Sequence, residues 1–509
     1  MSSKLIYGKY LVIDERTVIP SGALYIEEDR IIDYGPHGEI TAKYRPDRTL
    51  GSAQTLIIPG LVNAHGHGKG LTDFQRGHLD DTLETWKWRS YPPVDPHLDT
   101  CWTCLQLLAS GVTTTMHNHD LVDPAGHREE FAAVLEAYKR CGLRVAFAPS
   151  LGTENVFTYG DDDEFIASLS PELRDLCEQI RARSTAFGEK QYFDSVRALQ
   201  DEHSGPQIQI MHGPVSPQWV RQEALQQIRR EATQLGLRIH IHVQQTRLQQ
   251  AYGLKRYGKS LIAYLEEIGF LAPDVTCGHC VWISEGDIEV LRSSGASVTH
   301  HPGCNLRVRN GISPVFELDH RGVTVAIGMD EKEVGDDKDY LAELRIAAKL
   351  HRLSSHRLDS PCLSSRDLFR MGTRNGATVL GFDSLIGSLE RGKRADVVLL
   401  DLEAMSEPYS YEGHDPLDLL LYRGKSTHIR TVLVDGEVLL DQGQFTRIDR
   451  DEVIGKLREA IPTDYRQRFE TRNRLMGGLR QAIAAHFQPW YEEIEGRETE
   501  PYYLMNSRS

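Results

Sequence analysis

Short apolar runs alternate with amphipathic helical patterns through the middle of the chain. Residues 237–243 read Leu-Arg-Ile-His-Ile-His-Val, an alternation of apolar and polar positions that predicts a buried β-strand. Other strand-like runs lie at 207–212, 274–276 and 323–330, and helical patterns lie between the runs at 222–235, 260–268 and 285–293. Strands that alternate with helices of this length predict βα units and a parallel sheet.

The two ends of the chain have a different pattern. Residues 1–60 and 385–445 contain short strands separated by turns, and the dipeptide Asp435-Gly436 predicts a tight turn between two of these strands. Residues 446–509 are helical and amphipathic, for example over 475–487. We expect that helix to pack on its own chain, with a contact between subunits as the alternative.

Histidines and an aspartate stand at the ends of the predicted strands. His65 and His67 follow an apolar strand-like run that breaks at Pro59-Gly60. Side chains at i and i+2 of a strand point to the same side, so these two imidazoles can bind one zinc or iron ion. The alternative is a pair of strand-end histidines that face solvent. Later strands end in the same way, at His240, His242, His279 and Asp330. Chemical groups at the carboxyl ends of successive strands are typical of a (β/α)8 barrel.

Taken in order, these motifs resemble the amidohydrolase superfamily, and within it the mononuclear branch of heterocycle deaminases and triazine hydrolases. The resemblance is carried by PGLVNAHGH at 59–67, GHC at 278–280, VTHHPGCNL at 298–306, GMD at 328–330 and IGSLERGKRADVVLL at 386–400. It covers the chain from about residue 5 to about residue 445. It implies a TIM-like (β/α)8 barrel over 61–384, a small β-sandwich built from 1–60 and 385–445, and a C-terminal helical extension over 446–509.

The same resemblance implies one catalytic divalent metal ion. Its ligands would be His65, His67, His242 and Asp330. Zinc suits this ligand set best and ferrous iron is the alternative. Relatives with two metals bridge them through a lysine on the fourth strand, and residues 207–212 contain no lysine. His240 corresponds to a position that is usually not a ligand, so we expect it to pack inside the barrel.

The metal in turn implies the chemistry. A bound cation lowers the pKa of its water from about 16 toward roughly 7, which makes hydroxide available at neutral pH. Asp330 would bind the metal and accept the proton of that water. His279 would hydrogen-bond the attacking oxygen, at the stage where electrostatic stabilisation counts most.

Two positions depart from the family's pattern. Deaminases of this branch carry a glutamate three residues after the strand-5 histidine, where this chain has Gln245. An amide can hydrogen-bond but cannot shuttle a proton near neutral pH. We therefore expect Gln245 to orient a substrate amide or carbonyl group, while His279 or Asp330 handles the proton. The charged segment 331–337 is either a solvated rim of the barrel mouth or the source of a replacement acid, Glu331.

The substrate-binding residues are the least clearly marked. Segment 155–204 is long and rich in aromatic and acidic residues, so we expect it to cover the active-site face. Gln218 and Trp219 can contact a planar ring, with core packing as the alternative, and His301 is a further candidate. Four cations near the motifs can bind an acidic group of the substrate, with salt bridges within the protein as the alternative: Lys69, Arg76, Arg307 and Arg309.

These patterns predict a metal-dependent hydrolase that cleaves a non-peptide carbon–nitrogen bond of a small amide or nitrogen heterocycle by attack of a metal-bound hydroxide. A second version of the chemistry expels halide, sulfide or an alkylamine from a heterocycle, and it depends less on the missing glutamate. A noncatalytic barrel that only binds a ligand is the alternative from another class. Four intact ligand positions argue against it.

Two C-x-x-C pairs invite a redox interpretation, which the pattern around them disfavours. A redox cysteine needs the N-terminus of a helix. The helix after Cys277 and Cys280 begins later, with Ser284 as its N-cap. Cys101 and Cys104 lie in an apolar helical stretch and are expected to be buried core cysteines.

Composition agrees with a large enzyme acting on a small molecule. The chain has 509 residues, of which 40% are hydrophobic and 26% charged, enough for a sizeable core and more than one domain. Eight cysteines and an N-terminus without a signal-like apolar region predict a reducing, cytoplasmic location. No run of about 18 apolar residues occurs, so no membrane span is expected. The net charge of −15 argues against nucleic-acid binding, and we expect a homodimer.

Overall fold

The structure is a computed structural model, and it describes residues 2–89, 91–92, 94–352 and 361–495. The first strands in the chain belong to a sheet built from both chain ends: β1 (Ser3–Val12), β2 (Val18–Glu27), β3 (Arg30–Pro36), β4 (Arg48–Gly51) and β5 (Thr55–Pro59). The next strands form the barrel: β6 (Leu61–Asn63), β7 (Val112–His119), β8 (Arg144–Leu151), β9 (Ile208–Pro214), β10 (Arg238–Val243), β11 (Val275–His279), β12 (Ser297–His300) and β13 (Val325–Ile327). The last strands return to the first sheet: β14 (Val397–Asp401), β15 (Ile429–Val434), β16 (Glu437–Asp441) and β17 (Gln444–Phe445).

Helices fill the connections between these strands. Those in the first half of the chain are α1 (His37–Lys43), α2 (Leu83–Trp86), α3 (Pro96–Ala109), α4 (His127–Cys141), α5 (Asp162–Ala167), α6 (Pro171–Ser184), α7 (Glu189–His203), α8 (Gln222–Leu235) and α9 (Arg247–Tyr257). The next ones complete the barrel: α10 (Leu261–Glu267), α11 (Glu285–Ser294), α12 (Pro302–Arg307), α13 (Val315–His320), α14 (Tyr340–Leu350), α15 (Ser365–Met371) and α16 (Arg374–Leu380). The remaining ones are α17 (Leu402–Ser406), α18 (Pro416–Arg423), a 3-10 turn (Ser426–His428), α19 (Arg450–Ala460), α20 (Tyr465–Arg468) and α21 (Glu470–Glu495).

The barrel consists of eight parallel strands in sequence order, β6 to β13. Each strand pairs in parallel with the next one along the chain. A hydrogen bond of 2.9 Å from the Ala64 amide to the Ile327 carbonyl links the first and last strands of the barrel. Small residues such as Ala64, Ala146, Ala148 and Ala326 line its apolar interior. They leave room for larger polar side chains toward the carboxyl ends of the strands. The prediction of a (β/α)8 barrel is confirmed.

The first barrel strand continues directly from the other sheet. β5 pairs with β1 and β14, and after Gly60 the chain enters the barrel as β6. A Cβ atom at Gly60 would lie 2.1 Å from the Thr113 hydroxyl, so only glycine fits at this crossing. The Pro59-Gly60 break therefore anchors the segment that carries His65 and His67 to both sheets.

The two chain ends meet in one mixed sheet of nine strands, in the order β17-β16-β15-β14-β5-β1-β2-β3 with β4 beside β1. One face encloses an apolar cluster to which both ends contribute, including Ile6, Leu24, Ile57 and Val397. Asp435 and Gly436 form the turn between β15 and β16 with φ values of 49° and 73°, as the Asp-Gly signal predicts. The chain ends, which the resemblance predicts to form a small β-sandwich, thus combine as expected, and their strands belong to one continuous mixed sheet.

Buried charge joins this sheet to the barrel. The Arg144 side chain on β8 is fully buried. It contacts Asp396 at 2.5 Å and Asp435 at 2.5 Å, and its Nε donates to the Pro206 carbonyl at 2.9 Å. Such a group is strongly destabilising when one partner is removed, because an uncompensated charge remains buried.

The C-terminal helices pack on their own chain, as expected. α21 lies against α2, α6 and α9, and its Phe487 is buried against Tyr159 with 5.2 Å between ring centroids. Arg480 on α21 pairs with Asp81 in front of α2. Every helix within the described ranges is too short or too polar to cross a bilayer.

Three local features qualify the sequence interpretation. The strand expected over 323–330 is only β13 (Val325–Ile327), because the chain turns at Asp330, whose φ is 54°. Segment 155–204, for which the sequence predicts a position but no secondary structure, contains three helices, α5 to α7. Ser284 caps α11 after the Cys277–Cys280 motif, as predicted.

Candidate active site

Four predicted ligands meet at the carboxyl ends of the barrel strands. Asp330 Oδ1 lies 3.0 Å from His65 Nε2 and 3.1 Å from His67 Nε2. His242 Nε2 lies 3.3 Å from His65 Nε2. One donor atom from each of the four residues falls within 4.8 Å of the other three. Three imidazole nitrogens and one carboxylate oxygen are a donor set that zinc and ferrous iron accept.

Two of the three imidazoles, those of His67 and His242, are oriented by backbone carbonyls. His67 Nδ1 lies 3.0 Å from the Asn118 carbonyl, and His242 Nδ1 lies 2.7 Å from the Val215 carbonyl. A carbonyl oxygen only accepts, so in each ring Nδ1 carries the proton. The Nε2 lone pairs are therefore directed at the shared centre, the arrangement that outer-sphere partners impose on metal-binding histidines.

The charge state of these groups also fits a cation. Burial, together with His65 and His279, holds the pKa of His242 well below its usual range, so its ring is neutral. Burial would raise the pKa of Asp330, but His65 and hydrogen bonds from the surrounding imidazoles hold it well below its usual range. At His67, burial opposes protonation, yet Asp120 and Asp330 raise the pKa to about 10. The Asp120 and Asp330 carboxylates therefore favour positive charge where the four donor atoms meet. A divalent cation can supply that charge in place of a proton on His67.

His65 is held differently, between two other imidazole rings. The His240 ring stacks on one side with a centroid distance of 4.6 Å, and the His301 ring stacks on the other at 4.3 Å. His240 is buried and both of its nitrogens lack a partner among the described residues. A Cβ atom on Gly278 would come within 3.2 Å of His240 Nε2, so the glycine makes space for this ring. The structure thus places His240 inside the barrel, as expected.

His279 has its tautomer set by two asparagines. The Asn310 amide donates to Asn305 Oδ1 at 3.1 Å, which identifies that atom as the oxygen. His279 Nδ1 lies 2.9 Å from the same oxygen and must carry the proton. His279 Nε2 is then the bare nitrogen, and it lies 3.4 Å from Asp330 Oδ2. The ring lines the cavity beside the ligand set, with a nitrogen able to accept a proton.

A second set of donors overlaps the first but is directed inward. His65, His279, His301 and Asp330 also offer atoms within 4.8 Å of one another. His301 Nδ1, however, faces His279 Nδ1 at 3.3 Å, and the latter already donates to Asn305. β9 contributes no lysine that could bridge two metals. The geometry therefore favours one ion at the first set.

The segment after Asp330 is not the solvated rim that its charges suggest. The Lys332, Glu333 and Lys338 side chains are buried, although 334, 335 and 337 are exposed. Glu331 accepts a hydrogen bond of 2.8 Å from the His67 amide and pairs with Lys338 at 3.2 Å. Its carboxylate thus supports the backbone of His67 and is absent from the described cavity wall.

A cavity of about 410 Å³ opens above the ligand set. Of the predicted residues, its wall includes His67, Trp219, His242, Gln245, His279 and Asp330. Segment 155–204 contributes Val156, Ser184 and Phe187, so the expectation that it covers this face is met. The volume is in the range of small-molecule sites.

Other predicted contacts lie elsewhere. Gln218 is buried and accepts from Ser216 at 2.6 Å, while Arg307 pairs with Asp80 and Asp336. Lys69 stands 5.4 Å from the Trp86 ring centroid. Arg76 pairs with Asp99, Arg309 is exposed, and His301 lies beneath Asp330. None of these is part of the described cavity wall.

Sequence reasoning missed several residues of the wall: Trp86, Lys87, Asp120, Glu154 and Lys332. Asp120 directly follows the His-x-His segment 117–119, so its position at the carboxyl end of a strand could have marked it as a cavity residue. Trp86 and Lys87 lie on and beside α2, where the sequence shows no motif, and neither Glu154, after β8, nor Lys332, in the charged segment 331–337, is marked by its sequence as a cavity residue. They reach the cavity only through long-range packing.

Comparison with known proteins agrees with this geometry. The sequence profile described as Amidohydrolase family matches residues 56–439. A 5'-deoxyadenosine deaminase of Methanosarcina acetivorans is 31% identical over 450 residues, which are 87% of this chain and 93% of the relative. A 5-methylthioadenosine/S-adenosylhomocysteine deaminase of Nitratidesulfovibrio vulgaris is 30% identical over 453 residues, again 87% of this chain and 93% of the relative.

Solved structures show the same fold. An adenosine deaminase from Xanthomonas campestris with bound zinc superposes with a TM-score of 0.76 at 25% identity, over 92% of this chain and 99% of that one. An atrazine chlorohydrolase from Arthrobacter aurescens with zinc gives a TM-score of 0.74 at 22% identity, over 90% of this chain and 100% of that one. The protein is an enzyme, a hydrolase that acts on non-peptide carbon–nitrogen bonds. The chain belongs to the amidohydrolase family.

Proposed function

We propose that the protein uses one divalent metal ion to hydrolyse a carbon–nitrogen bond on a planar nitrogen heterocycle. The observation that carries the proposal is the convergence of three imidazole nitrogens and Asp330 Oδ1 at the floor of a cavity. The relatives that match over most of the chain are deaminases of adenosine derivatives, which supports an exocyclic amine as the leaving group.

Each residue of the centre has a distinct role in this proposal. His65, His67, His242 and Asp330 hold the metal, which when bound supplies a Lewis acid that lowers the pKa of water. Asp330 Oδ2 and His279 Nε2 stand 3.4 Å apart on one side of the donor set. Both can accept a proton, and they lie in the same cavity wall, so a proton released there has two acceptors within one step.

Gln245 is the group that positions the substrate. It is buried, it lines the cavity, and its backbone amide is fixed by Gln249 Oε1 at 2.7 Å. Its side-chain amide can donate to a ring nitrogen or accept from an amine, which orients the ring without transferring a proton. If Gln245→Glu leaves both kcat/KM and its pH profile unchanged, this role is wrong. Glu331→Ala should weaken metal binding, because it removes the acceptor of the His67 backbone N–H, and wild-type metal affinity would contradict that role.

Displacement of another leaving group is the second candidate. The amide of Gln245 favours it, because loss of halide, sulfide or an alkylamine needs less help from a proton-shuttling acid. The fold shared with an atrazine chlorohydrolase is compatible with such chemistry. A barrel that only binds a ligand is disfavoured, since the four donors and the Asn305-oriented His279 form a complete reactive centre.

The test is a turnover screen with the zinc-reconstituted protein. The panel contains 6-aminopurine nucleosides and matched amino- and chloro-substituted triazines, each with and without a carboxylate on a substituent, and released ammonium and chloride are measured in parallel. We expect ammonium release that is abolished in His242→Ala and retained in His203→Ala, a half-buried histidine on α7 that contacts Lys139. Chloride release alone would favour the second candidate. No release of either ion by a zinc-loaded protein would contradict both.

The same proposal includes expectations about the metal, the location, the oligomeric state and the domain limits. Zinc is the metal, as in the neighbouring structures. A reducing cytoplasm suits a protein whose eight cysteines are all unpaired. A homodimer suits the exposed Phe74 and Leu79, and light scattering of the purified protein tests it. The boundaries after residues 60, 384 and 445 are proposed as domain limits, the first because β5 passes into β6 at Gly60.

A further inference from the structure

Lys87 occupies an unusual place in the cavity wall. Its ammonium group stands 4.4 Å from the Trp219 ring centroid and 4.9 Å from that of Trp88. Nζ donates one hydrogen bond, of 3.0 Å, to the Val156 carbonyl. A protonated lysine has three donors, so two remain for a group inside the cavity.

No carboxylate of the described residues lies within ion-pair distance of this ammonium group. The closest acids are engaged elsewhere. Glu84 accepts from Thr246 at 2.6 Å and from Tyr159 at 3.0 Å, and Asp162 accepts from two backbone amides of its own segment. Burial lowers the pKa of Lys87 to about 8, so at neutral pH most molecules still carry the charge.

The other charged groups of the wall are compensated. Lys332 pairs with Asp73, and Asp120 lies 3.4 Å from His67. Asp330 belongs to the ligand set. The charge of Glu154 is balanced by Arg256 and Arg221. Lys87 is thus the one lysine of the described cavity wall with no acid in direct contact, although Glu84 and Asp162 favour its charged form from a longer range.

We propose that Lys87 binds a carboxylate of the substrate, while Trp86 and Trp219 line the space that its heterocycle occupies. The inference rests on the proposed function, because it assigns a substrate class to the same cavity. The substrate is then a nitrogen heterocycle that bears an acidic group remote from its leaving group.

The charge balance selects a monoanion. A carboxylate places one negative charge against the one lysine that has no acid in direct contact, whereas a phosphate dianion would add a second negative charge to a wall that already contains the carboxylates of Asp120 and Glu154. A neutral substrate would leave the ammonium group desolvated without an anion, which costs more than pairing it. Lysine acts here as a point charge, for which a carboxylate oxygen is a sufficient partner.

Equilibrium binding tests this without any need for turnover. The probes are 2-aminopyrimidine-5-carboxylate and its carboxamide, which match in shape and differ by one charge. Calorimetry at low salt measures both on the zinc-reconstituted full chain and on Lys87→Met, Lys87→Arg and Lys255→Met. Lys255 is the matched control, since its Nζ stands 4.3 Å from the Trp490 ring on the outer surface, paired with Glu493.

We expect the wild type and Lys255→Met to bind the carboxylate at least about tenfold more tightly than the carboxamide. Lys87→Met should reduce this preference to about twofold or less while carboxamide binding is unchanged, and Lys87→Arg should retain most of it. Equal binding of the two probes by the wild type would overturn the proposal, and so would a preference that survives in Lys87→Met. Because the readout is the ratio of two affinities, it stays informative if the turnover screen fails.

Discussion

Replacement of Asn305 tests how His279 works. Asn305 is 1% exposed on α12, and its Oδ1 accepts from His279 Nδ1 at 2.9 Å and from the Asn310 amide at 3.1 Å. Asn305→Leu keeps the volume and removes the acceptor. Each buried donor that loses its partner costs about 1–3 kcal/mol, so we expect a measurable loss of stability.

The effect on catalysis follows from the tautomer. Without the Asn305 oxygen, the Nδ1–H tautomer of His279 loses its acceptor, and a proton on Nε2 is favoured because Nε2 lies 3.4 Å from Asp330 Oδ2. That nitrogen then donates and no longer accepts. Loss of a positioned base costs about 10²–10⁴ in rate, and we expect kcat to fall about hundredfold with little change in KM.

Asn305→Asp is the matched variant, because it keeps an acceptor oxygen at the same place. Its kcat should stay within about tenfold of the wild type. Steady-state kinetics on the substrate found in the screen measure both variants, with metal content determined for each. A folded Asn305→Leu protein that binds one metal per chain and keeps wild-type kcat would refute the role of His279 Nε2 as a proton acceptor.

Three further expectations concern stability, each measured by thermal unfolding. Arg144→Met should lower the free energy of unfolding by about 3–5 kcal/mol, because it leaves the buried Asp396 carboxylate without its cation. Arg181→Met breaks an exposed ion pair and should lower it by at most about 1 kcal/mol, and equal losses in the two variants would contradict the role of the buried pair. Glu343 is buried and its pKa is raised to about 8, so the folded protein holds a proton that the unfolded chain releases above its ordinary pKa. Stability should fall as pH rises from about 5 to 8, and Glu343→Gln should flatten that slope; an unchanged slope would refute it. Phe487→Ala should lower the free energy of unfolding by about 3–5 kcal/mol. It should also raise KM, because Phe487 packs on Tyr159 of the segment that covers the cavity, and an unchanged KM would show that α21 does not influence the site.

The ligand set was predictable because its signals are local. His65 and His67 share one side of the chain by strand periodicity, and the acid after the last strand-like run is Asp330. The choice between His240 and His242 is different. Both rings point into the barrel from β10, and only depth along the strand puts one at the ligand set and the other beneath His65. Sequence periodicity carries no information about depth.

The rest of the wall could not be predicted, because it depends on partners far away in the chain. Lys332 is buried because its ammonium group pairs with Asp73 and lies over the Trp86 ring. A run of charged residues in the sequence does not show which of them find such partners. Gln218 and Trp219 are neighbours that face opposite ways, and only Trp219 reaches the cavity. The lack of a contacting acid at Lys87 likewise depends on tertiary packing and has no signal in the sequence.

Metal stoichiometry tests the central claim most directly. Elemental mass spectrometry of the protein purified without chelators is compared with His242→Ala and His203→Ala. We expect about one zinc or iron per wild-type chain, lost in His242→Ala and retained in His203→Ala, because only His242 belongs to the donor set. Two ions per chain, or none even after reconstitution with zinc, would contradict a single-metal hydrolase.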